Sequence, residues 1–374
     1  MDYSQSGVDI KLGDEASKIL YNVSKQSFEL RKGNIGEVIV PFDDFSGVRV
    51  IDVSKLPEGS VMCMGFDGVG TKVEIAQRMN NHSTIAFDLL AMVCDDAIVR
   101  GAEPVLVGSV LDTNSLGKEN NNNLESIKQL AKGYLEAAKA ANVAIINGEL
   151  AELGNLVGGH GDFKYNWCSS LIWFANKNKL FTGNEINIGD SIVVFEEKGF
   201  RSNGFSLIRK VFESKFGENW HNELYQGEKL GNLVLTPSTI YSKAVVNMHG
   251  GFSAPGTCKI NGVAHITGGG IPSKIGRILK AKKLGAELVN LFEPCAAMKY
   301  CQEIGNVPDK EAYRTWNMGQ GLAVVTPEPD KVIEEAKKFN INAKLAGIVI
   351  QDSNIILTSK GHFNHGEKLV FERE

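Results

Sequence analysis

Short apolar runs alternate with amphipathic stretches along this chain of 374 residues. Val61–Phe66 is an apolar run that ends in a glycine-rich turn, which predicts a strand. From Ser83 to Arg100 apolar residues recur at helical spacing, Ser83 or Thr84 can cap the start, and Gly101 can close the end. The pattern therefore predicts a helix over Ser83–Arg100.

The alternation continues through the rest of the first half. Val105–Val110 is a β-branched run and predicts a second strand. The alanine-rich stretch Leu124–Ala141 predicts a helix that Asn123 can cap, and Val143–Ile146 predicts a third strand. Strand, helix and strand in this order indicate an α/β or α+β layer structure, not a helical bundle or a sandwich.

The pattern lapses into polar and glycine residues between Asn176 and Asn184, and it restarts at the apolar run Ser191–Phe195. A chain of this length exceeds one ordinary hydrophobic core. We therefore predict two domains, residues 1–179 and 180–374, each with a mixed sheet and helices. In the second domain Ser206–Ser214 and Pro272–Lys282 are the predicted helices.

Charge and composition limit the partners. The formal net charge is -4 and the pI is about 6.0, so the chain has no general attraction to nucleic acid or to an anionic membrane. No segment stays apolar for the ~20 residues that a membrane span needs. The six cysteines show no C-x-x-C spacing, as expected for reduced thiols in a cytosol. We predict a soluble cytoplasmic protein.

The run Gly65–Lys72 (GFDGVGTK) resembles a phosphate-binding loop but departs from it twice. Thr71 precedes Lys72, whereas the P-loop has Lys before Ser or Thr. Asp67 lies inside the loop, where a carboxylate repels a triphosphate unless a divalent cation lies between them. Asp67 is therefore a candidate Mg²⁺ ligand. The alternative is a tight turn whose glycines only reverse the chain.

The predicted helix Ser83–Arg100 carries three aspartates among apolar neighbours. Asp88 and Asp95 are seven residues apart and share a face, but they are separated by roughly 10 Å, too far to chelate one ion alone. Each needs a partner from another segment, and Asp67 is the natural one. We favour a metal role for Asp96 and a structural role for Asp88, as a cap or in a pair with an arginine such as Arg100.

Two further segments carry candidate chemistry. Glu149 follows the strand Val143–Ile146, where α/β proteins tend to place site residues, although an acid at a helix start is the more common role. His265 precedes Gly268–Gly270, with Pro272 at a helix start, and this segment predicts an anion site of free backbone N–H groups. A flexible turn and a structural histidine are the alternatives.

These features occur in the order typical of one family over nearly the whole chain. The chain resembles the phosphoribosylformylglycinamidine cyclo-ligases, also called aminoimidazole ribonucleotide synthetases. The segments that carry the resemblance are Tyr3–Asp9 (YSQSGVD), Asp67–Lys72 (DGVGTK), Gly101–Pro104 (GAEP), Gly148–Leu153 (GELAEL), Ser202–Lys210 (SNGFSLIRK), Leu235–Lys243 (LTPSTIYSK), Ala264–Pro272 (AHITGGGIP) and Tyr313–Gly321 (YRTWNMGQG).

The resemblance implies a two-domain α/β subunit that dimerises through the sheet of its first domain and binds ATP in a cleft. It also implies ATP- and Mg²⁺-dependent ring closure of a ribonucleotide in purine synthesis, with no protein nucleophile. The residues implied to bind the nucleotide are Asp67, Gly68, Gly70, Thr71, Lys72, Asn203, Thr267, Gly268, Gly269 and Gly270. The implied metal ligands are Asp67, Asp96 and Asp95, and the implied catalytic residues are His265, Arg201 and Glu149.

Several positions depart from the family pattern. Arg201 stands where the family has His before Ser-Asn-Gly, and it could hold a phosphate bidentately. Asp95 replaces Asn, Leu150 ends a Gly-Gly-Glu-Thr motif that here begins with Asn147, and Pro41–Ser46 replaces a glycine-rich segment. An altered substrate is therefore one alternative.

Two alternative functions keep the nucleotide site. Selenophosphate synthetase and thiamine-monophosphate kinase share the superfamily plan, but the former needs a reactive cysteine or selenocysteine near the amino terminus and none precedes Cys63. The other alternative is a nucleotide-binding paralogue that has lost turnover.

Overall fold

A computed structural model describes residues 9–41, 47–118 and 120–372. The chain divides into two compact units: the first comprises residues 1–94 and 104–174, and the second comprises residues 95–103 and 175–374. Of the segments singled out above, Tyr3–Val8 and Phe42–Ser46 lie outside the described residues. Asp9 lies inside them, and its carboxylate caps the first helix by accepting from the Lys11 and Leu12 N–H groups.

The first unit contains a four-stranded sheet and four helices, counted over the described residues. Three elements, α3, β4 and β8, include the points at which the chain passes from one unit to the other. In chain order the elements are α1 (Ile10–Ser27), β1 (Val38–Ile39), β2 (Val50–Ile51), β3 (Ser60–Gly68), α2 (Val73–Met79), α3 (Ile85–Ile98), β4 (Glu103–Thr113), β5 (Gly117–Lys118), β6 (Asn121–Asn122), α4 (Leu124–Ala141), β7 (Ala144–Glu152) and β8 (Tyr165–Asn176).

The sheet of the first unit has the strand order β3-β8-β4-β7, and β4 runs parallel to β7. The predicted helix Leu124–Ala141 is confirmed at both ends by α4, and the predicted helix Ser83–Arg100 is confirmed by α3. Helix α4 buries the apolar positions of one face, because these recur at helical spacing, whereas α3 is apolar and buried nearly all round, with Asp96 exposed. The predicted strands are confirmed as parts of β3, β4 and β7.

Two local predictions in this unit are wrong. Asn123 precedes α4, but its side chain donates to the Ser115 carbonyl, while Asn122 Oδ1 accepts from the Leu124 N–H. The strand predicted to end at Ile146 continues to Glu152, because residues 147–152 pair with β4 in parallel register. Glu149 therefore lies inside a strand, and it is not the acid at a helix start.

The second unit contains a seven-stranded sheet with helices packed beside it. Its elements are β9 (Ser191–Glu196), α5 (Phe205–Phe216), β10 (Leu224–Tyr225), β11 (Glu228–Lys229), α6 (Leu230–Val234), α7 (Ser242–His249), β12 (Gly262–His265), α8 (Gly270–Leu279), β13 (Gly285–Leu288), α9 (Ala296–Gly305), α10 (Asp309–Thr315), β14 (Gln320–Thr326), α11 (Pro329–Lys337), β15 (Ala343–Ile350), β16 (Ile355–Thr358) and β17 (Lys368–Phe371).

The sheet of the second unit has the order β12-β14-β9-β15-β13-β16-β17. Its neighbours pair antiparallel except for β13 and β16, which are parallel. Strands β9 and β14 are apolar and buried on both faces at the centre, which explains why Ser191–Phe195 reads as a continuous apolar run. The predicted α/β class with mixed sheets is confirmed.

No helix in the described ranges is long and apolar enough to span a bilayer.

Candidate functional site

The turn after β3 holds the first group of predicted residues. Asp67 is the last residue but one of β3, and the Gly68 N–H donates to its Oδ1 over 2.7 Å. Gly70 has a φ of 69°, and Gly70–Lys72 forms a short 3₁₀ turn that leads into α2. Gly70 and Thr71 are exposed. This end of β3 therefore presents a carboxylate followed by accessible backbone.

Lys72 does not have the environment that the resemblance implied. Its Nζ lies 2.7 Å from Asp88 Oδ1, and both side chains are 0% exposed. The ammonium is thus enclosed with a carboxylate that neutralises it, so the expectation that Lys72 faces phosphate is corrected. Asp88 has a structural role, but its partner is Lys72 and not Arg100.

Asp67 and Glu149 line one cavity of the first unit. The cavity has a volume of about 550 Å³. Glu149 is exposed and lies opposite Val110 of β4, so the parallel pairing of β4 with β7 brings its carboxylate to this cavity. The rest of the lining is polar or small apart from Phe66 and Val110, and it includes Gly108, Ser109, Asn147, Gly148, Cys168, Ser169 and Ser170.

In the second unit Asp95 is buried in an ion pair. Its Oδ2 lies 2.9 Å from Arg201 Nη2, and its Oδ1 accepts from the Tyr241 N–H over 3.0 Å. Burial raises the pKa of Asp95 to about 7, against the opposing effect of the Arg201 charge. Both oxygens of Asp95 are therefore occupied by protein donors, and we remove it from the set of metal ligands.

Arg201 is also buried, and its guanidinium contacts four groups. Nη1 donates to Glu197 Oε2 over 2.9 Å and to the Thr239 carbonyl over 2.8 Å, and Nη2 contacts Asp95 and lies 2.7 Å from His265 Nε2. The side chain is 1% exposed. The expectation that Arg201 holds a phosphate is therefore corrected. Its partner Asp95 is the other charged residue that departs from the family pattern, so the two departures form one ion pair.

His265 connects this buried group to an exposed carboxylate. His265 Nδ1 lies 2.8 Å from Asp96 Oδ1, with the imidazole 2% and the Asp96 side chain 59% exposed. Burial, and then the charge of Arg201, lower the pKa of His265 to about 4, against the opposing effect of Asp96. Partial burial would raise the pKa of Asp96, but the hydrogen bond from His265 and nearby positive charges outweigh it and lower the pKa. At neutral pH, Asp96 is thus an ionised carboxylate held by a neutral imidazole.

Two glycine-rich turns of the second unit lie side by side, and one of them follows His265 in the chain. Gly204 and Gly269 immediately precede helices α5 and α8, and their φ angles of 75° and 91° favour glycine. A Cβ on Gly268 would lie 3.6 Å from Asn203 Nδ2, which places the two turns side by side. Gly270 tolerates no side chain, because a Cβ there would overlap the Tyr313 carbonyl oxygen.

The polar groups in these turns fit a phosphorylated ligand. The start of α8 offers the positive end of a ten-residue helix, which favours an anion. Asn203 Oδ1 and Ser202 Oγ are buried and have no hydrogen-bond partner in the protein. Such atoms are normally satisfied, and hydroxyl or amine groups of a ribonucleotide are suitable partners. Thr267 is buried at the head of the same turn, where its carbonyl accepts from the Gly270 N–H over 2.8 Å.

The described residues hold no ready-made metal cage. Across residues 9–41, 47–118 and 120–372, no three His, Cys, Asp or Glu side chains cluster in a way that could hold an ion. Mg²⁺ is usually held by one or two carboxylates and by the phosphates of its substrate, without a dedicated cage. Asp96 and the half-buried Asp67 are carboxylates of this type. Each carboxylate, taken within its own unit, is of the kind that can contribute to a Mg²⁺ ion held mainly by a phosphate.

Three contributors to this site escaped the sequence analysis. They are Glu197 and Thr239, which hold Arg201, and Tyr241, whose N–H holds Asp95 and whose ring lies 5.2 Å from the guanidinium. Two sequence signals were available: Thr239 and Tyr241 lie in the quoted segment Leu235–Lys243, and Glu197 and Arg201 are four residues apart. That spacing indicates a pair only on a helix, and this segment is a turn.

The fold and these turns define a class of protein. Residues 47–166 match the family described as AIR synthase related protein, N-terminal domain, and residues 187–360 match the corresponding C-terminal domain. The structure of the Escherichia coli hydrogenase maturation protein HypE superposes with a TM-score of 0.60 at 14% identity, covering 95% of this chain and 96% of that one. At that identity the match concerns the fold alone.

Closer relatives identify the family within that class. The chain is 31% identical over 366 residues to phosphoribosylformylglycinamidine cyclo-ligase of a Picosynechococcus species, covering 96% of this chain and 98% of the relative. It is 34% identical over 329 residues to the cyclo-ligase of Desulfitobacterium hafniense, covering 88% and 90%. The chain belongs to the phosphoribosylformylglycinamidine cyclo-ligase family, and the resemblance seen in its motifs is confirmed.

Proposed function

We propose that the protein catalyses the ATP-dependent ring closure of formylglycinamidine ribonucleotide to aminoimidazole ribonucleotide, in de novo purine biosynthesis. The observation that carries the proposal is similarity to cyclo-ligases over nearly the full length of the chain. The Asp96–His265 pair supports it, because His265, which holds the ionised carboxylate of Asp96, shortly precedes the glycine-rich turn at the start of α8.

The reaction asks the protein for positioning and charge neutralisation more than for covalent chemistry. The γ-phosphoryl group of ATP passes to the formamide oxygen of the substrate, and ADP leaves. The substrate's own amine then attacks the same carbon, the C–O bond breaks, phosphate leaves and a proton is released. Products are aminoimidazole ribonucleotide, ADP and phosphate. No side chain needs to act as a nucleophile.

Each site residue then has a binding or orienting role. The turn Thr267–Gly270 at the start of α8 binds phosphate oxygens, and Asn203 accepts a hydrogen bond from a substrate hydroxyl or amine. Asp96 in the second unit and Asp67 in the first are each proposed as a carboxylate ligand of Mg²⁺, which would neutralise phosphate charge when bound. Glu149 lines the cavity of the first unit with Asp67, where it can hold a substrate N–H group.

The test is direct product analysis. Purified protein receives the amidine ribonucleotide, ATP and Mg²⁺, and aminoimidazole ribonucleotide and ADP are quantified together. We expect the two products in a ratio of one to one. ADP without the imidazole product would favour a related kinase-like activity. ATP binding without ADP release from any candidate substrate would favour a paralogue without turnover, for which Arg201 and Leu150 are the motivating departures.

Two further properties belong to this proposal. The first is a homodimer formed through the sheet of the first unit, because that sheet exposes several large apolar side chains, which a soluble monomer rarely groups together. These are Val61, Met62, Met64 and Phe66 on β3 and Val110 on β4. The second is a cytoplasmic location, where the substrates of purine synthesis are found.

A further inference from the structure

A series of hydrogen bonds runs from the interior of the second unit to the exposed carboxylate of Asp96. Asp95 and Glu197 hold the Arg201 guanidinium, Arg201 Nη2 contacts His265 Nε2, and His265 Nδ1 contacts Asp96 Oδ1. All but the last residue are buried, and the contacts fall between 2.7 and 2.9 Å. The end of the series is thus the proposed metal ligand.

The donors and acceptors in this series determine the tautomer of His265. A guanidinium carries five N–H donors and no acceptor, so His265 Nε2 must be the acceptor in its contact with Arg201. In a neutral imidazole the ring hydrogen is then on Nδ1. Nδ1 faces a carboxylate oxygen, which accepts that hydrogen. The two contacts of His265 are therefore mutually consistent in one tautomer.

Several other contacts fix the position of Arg201 and so maintain its contact with His265 Nε2. Its two terminal nitrogens donate to two carboxylates and a backbone carbonyl, and its backbone adopts a left-handed φ of 57°. The Tyr241 ring lies 5.2 Å from the guanidinium carbon, within range of a cation–π contact. Rotating Arg201 away would leave Asp95 and Glu197 buried without their cation.

We propose that Arg201 is a positioning residue that fixes His265 in the Nδ1–H tautomer, so that His265 always occupies Asp96 Oδ1 and leaves Oδ2 for a ligand. The tautomer lock stands on geometry alone. Its effect on the reaction rests on the proposed function, because only there does Asp96 meet Mg²⁺.

The chain supplies an internal control for the tautomer. His249 Nε2 lies 3.1 Å from the Lys179 carbonyl oxygen, which can only accept. His249 must therefore carry its hydrogen on Nε2, the opposite tautomer to that proposed for His265. Both histidines belong to the second unit. The tautomers of both histidines can therefore be measured in the same sample.

The first experiment measures both tautomers by nitrogen-15 NMR of histidine-labelled, full-length protein near neutral pH. The variants His265→Asn and His249→Gln assign the signals. We expect a protonated Nδ1 and a bare Nε2 for His265, and the reverse for His249. A protonated Nε2 on His265, or a fast average of both tautomers, would overturn the proposal.

The second experiment removes the Arg201 guanidinium, which is proposed to fix the tautomer of His265. The double variant Asp95→Asn with Arg201→Met deletes the cation together with one carboxylate, which avoids leaving that carboxylate unpaired. We expect the His265 signals to show a mixture of tautomers, while those of His249 stay unchanged. Arg201→Lys keeps a cation for Asp95 and Glu197, but a single ammonium cannot also reach His265 as the arginine fork does, so the same mixture of tautomers is expected. If the double variant does not fold, Arg201→Lys carries the test, because it leaves neither carboxylate without a cation.

Kinetics separate positioning from a merely structural role. Loss of a residue that orients a metal ligand typically lowers metal affinity or activity by about 10- to 100-fold. In the double variant we expect the Mg²⁺ concentration for half-maximal product formation to rise by about that factor, with a similar rise in Arg201→Lys and KM for the ribonucleotide unchanged. An unchanged Mg²⁺ requirement in a variant with mixed tautomers would contradict the functional consequence. If wild-type protein forms no imidazole product, the proposed function fails. The NMR experiment still tests whether Arg201 fixes the tautomer of His265.

Discussion

Helix α3 carries two buried aspartates, Asp88 and Asp95, and each forms an ion pair. The pair in the first unit is isolated from any site, whereas the pair in the second unit belongs to the candidate site. In the first unit Asp88 pairs with Lys72, and both side chains are fully enclosed. In the second unit Asp95 pairs with Arg201, and that guanidinium contacts His265, which reaches the exposed Asp96. The difference lies in the cation. A lysine offers one ammonium, whereas the planar fork of an arginine can bind two carboxylates and a third group at once.

The comparison explains why one buried pair carries a site and the other does not. An enclosed pair loses the hydration of both ions, and its attraction roughly offsets that cost. Such a pair therefore fixes the position of a helix without adding much net stability. The Arg201 group has the same cost, but it orients a carboxylate that remains accessible.

The largest expected effect comes from breaking the pair of the first unit. Lys72→Met leaves Asp88 buried without its cation, so the free energy of unfolding should fall by about 3 to 5 kcal/mol. The double variant Lys72→Met with Asp88→Leu should recover most of this loss. Denaturant unfolding of the single and double variants measures both. Equal losses in the single and the double variant would show that the pair is not the cause.

A histidine outside the site should account for part of the acid sensitivity. Burial, then the nearby Lys179 charge, lower the pKa of His249 from 6.5 to about 4. The folded state thus binds fewer protons than the unfolded state between these values. The free energy of unfolding therefore falls as the pH drops from 6.5 towards 4, and His249 accounts for up to about 3 kcal/mol of that fall. Above pH 6.5 the histidine causes no such loss.

The variant His249→Gln isolates that contribution, because an amide can still donate to the Lys179 carbonyl. We expect the free energy of unfolding to fall less steeply between pH 6.5 and 4.5 in this variant than in wild type. Asp95 has the opposite sign, since its raised pKa makes stability fall as the pH rises from about 4 to 7. Asp95 is present in both wild type and His249→Gln, so its effect cancels when the two free energies of unfolding are subtracted. Parallel pH curves would contradict the assignment.

The smallest effect on folding is expected at the exposed sheet of the first unit. Phe66 is 73% exposed, so Phe66→Asp should change the stability of the subunit by less than about 0.5 kcal/mol. If this face forms the proposed dimer, the same change should convert a dimer into a monomer. Light scattering after gel filtration measures the mass, with Leu224→Asp in the second unit, another exposed apolar side chain, as a control. A dimer that survives Phe66→Asp contradicts the proposed interface.

Local patterns in the sequence predict much of this fold, and long-range pairing explains what they miss. Both ends of helix α4 are predicted correctly, because its apolar positions recur at helical spacing between polar residues at each end. Residues 147–152 lack a strand pattern, and they extend because β4 offers a parallel partner. The motifs also locate Asp96, His265 and the glycine turns. They cannot reveal that Lys72 and Arg201 are buried, because the neutralising carboxylates come from distant positions or from an irregular turn.

The most direct test of the central claim is the rate at which Asp96→Asn forms aminoimidazole ribonucleotide, measured beside wild type and beside Asp14→Asn, an exposed aspartate on α1. Asparagine keeps the shape of the side chain and removes the charge that Mg²⁺ requires. We predict a loss of about 100-fold for Asp96→Asn at unchanged thermal stability, and no loss for Asp14→Asn. Activity of Asp96→Asn within a few-fold of wild type would contradict the account.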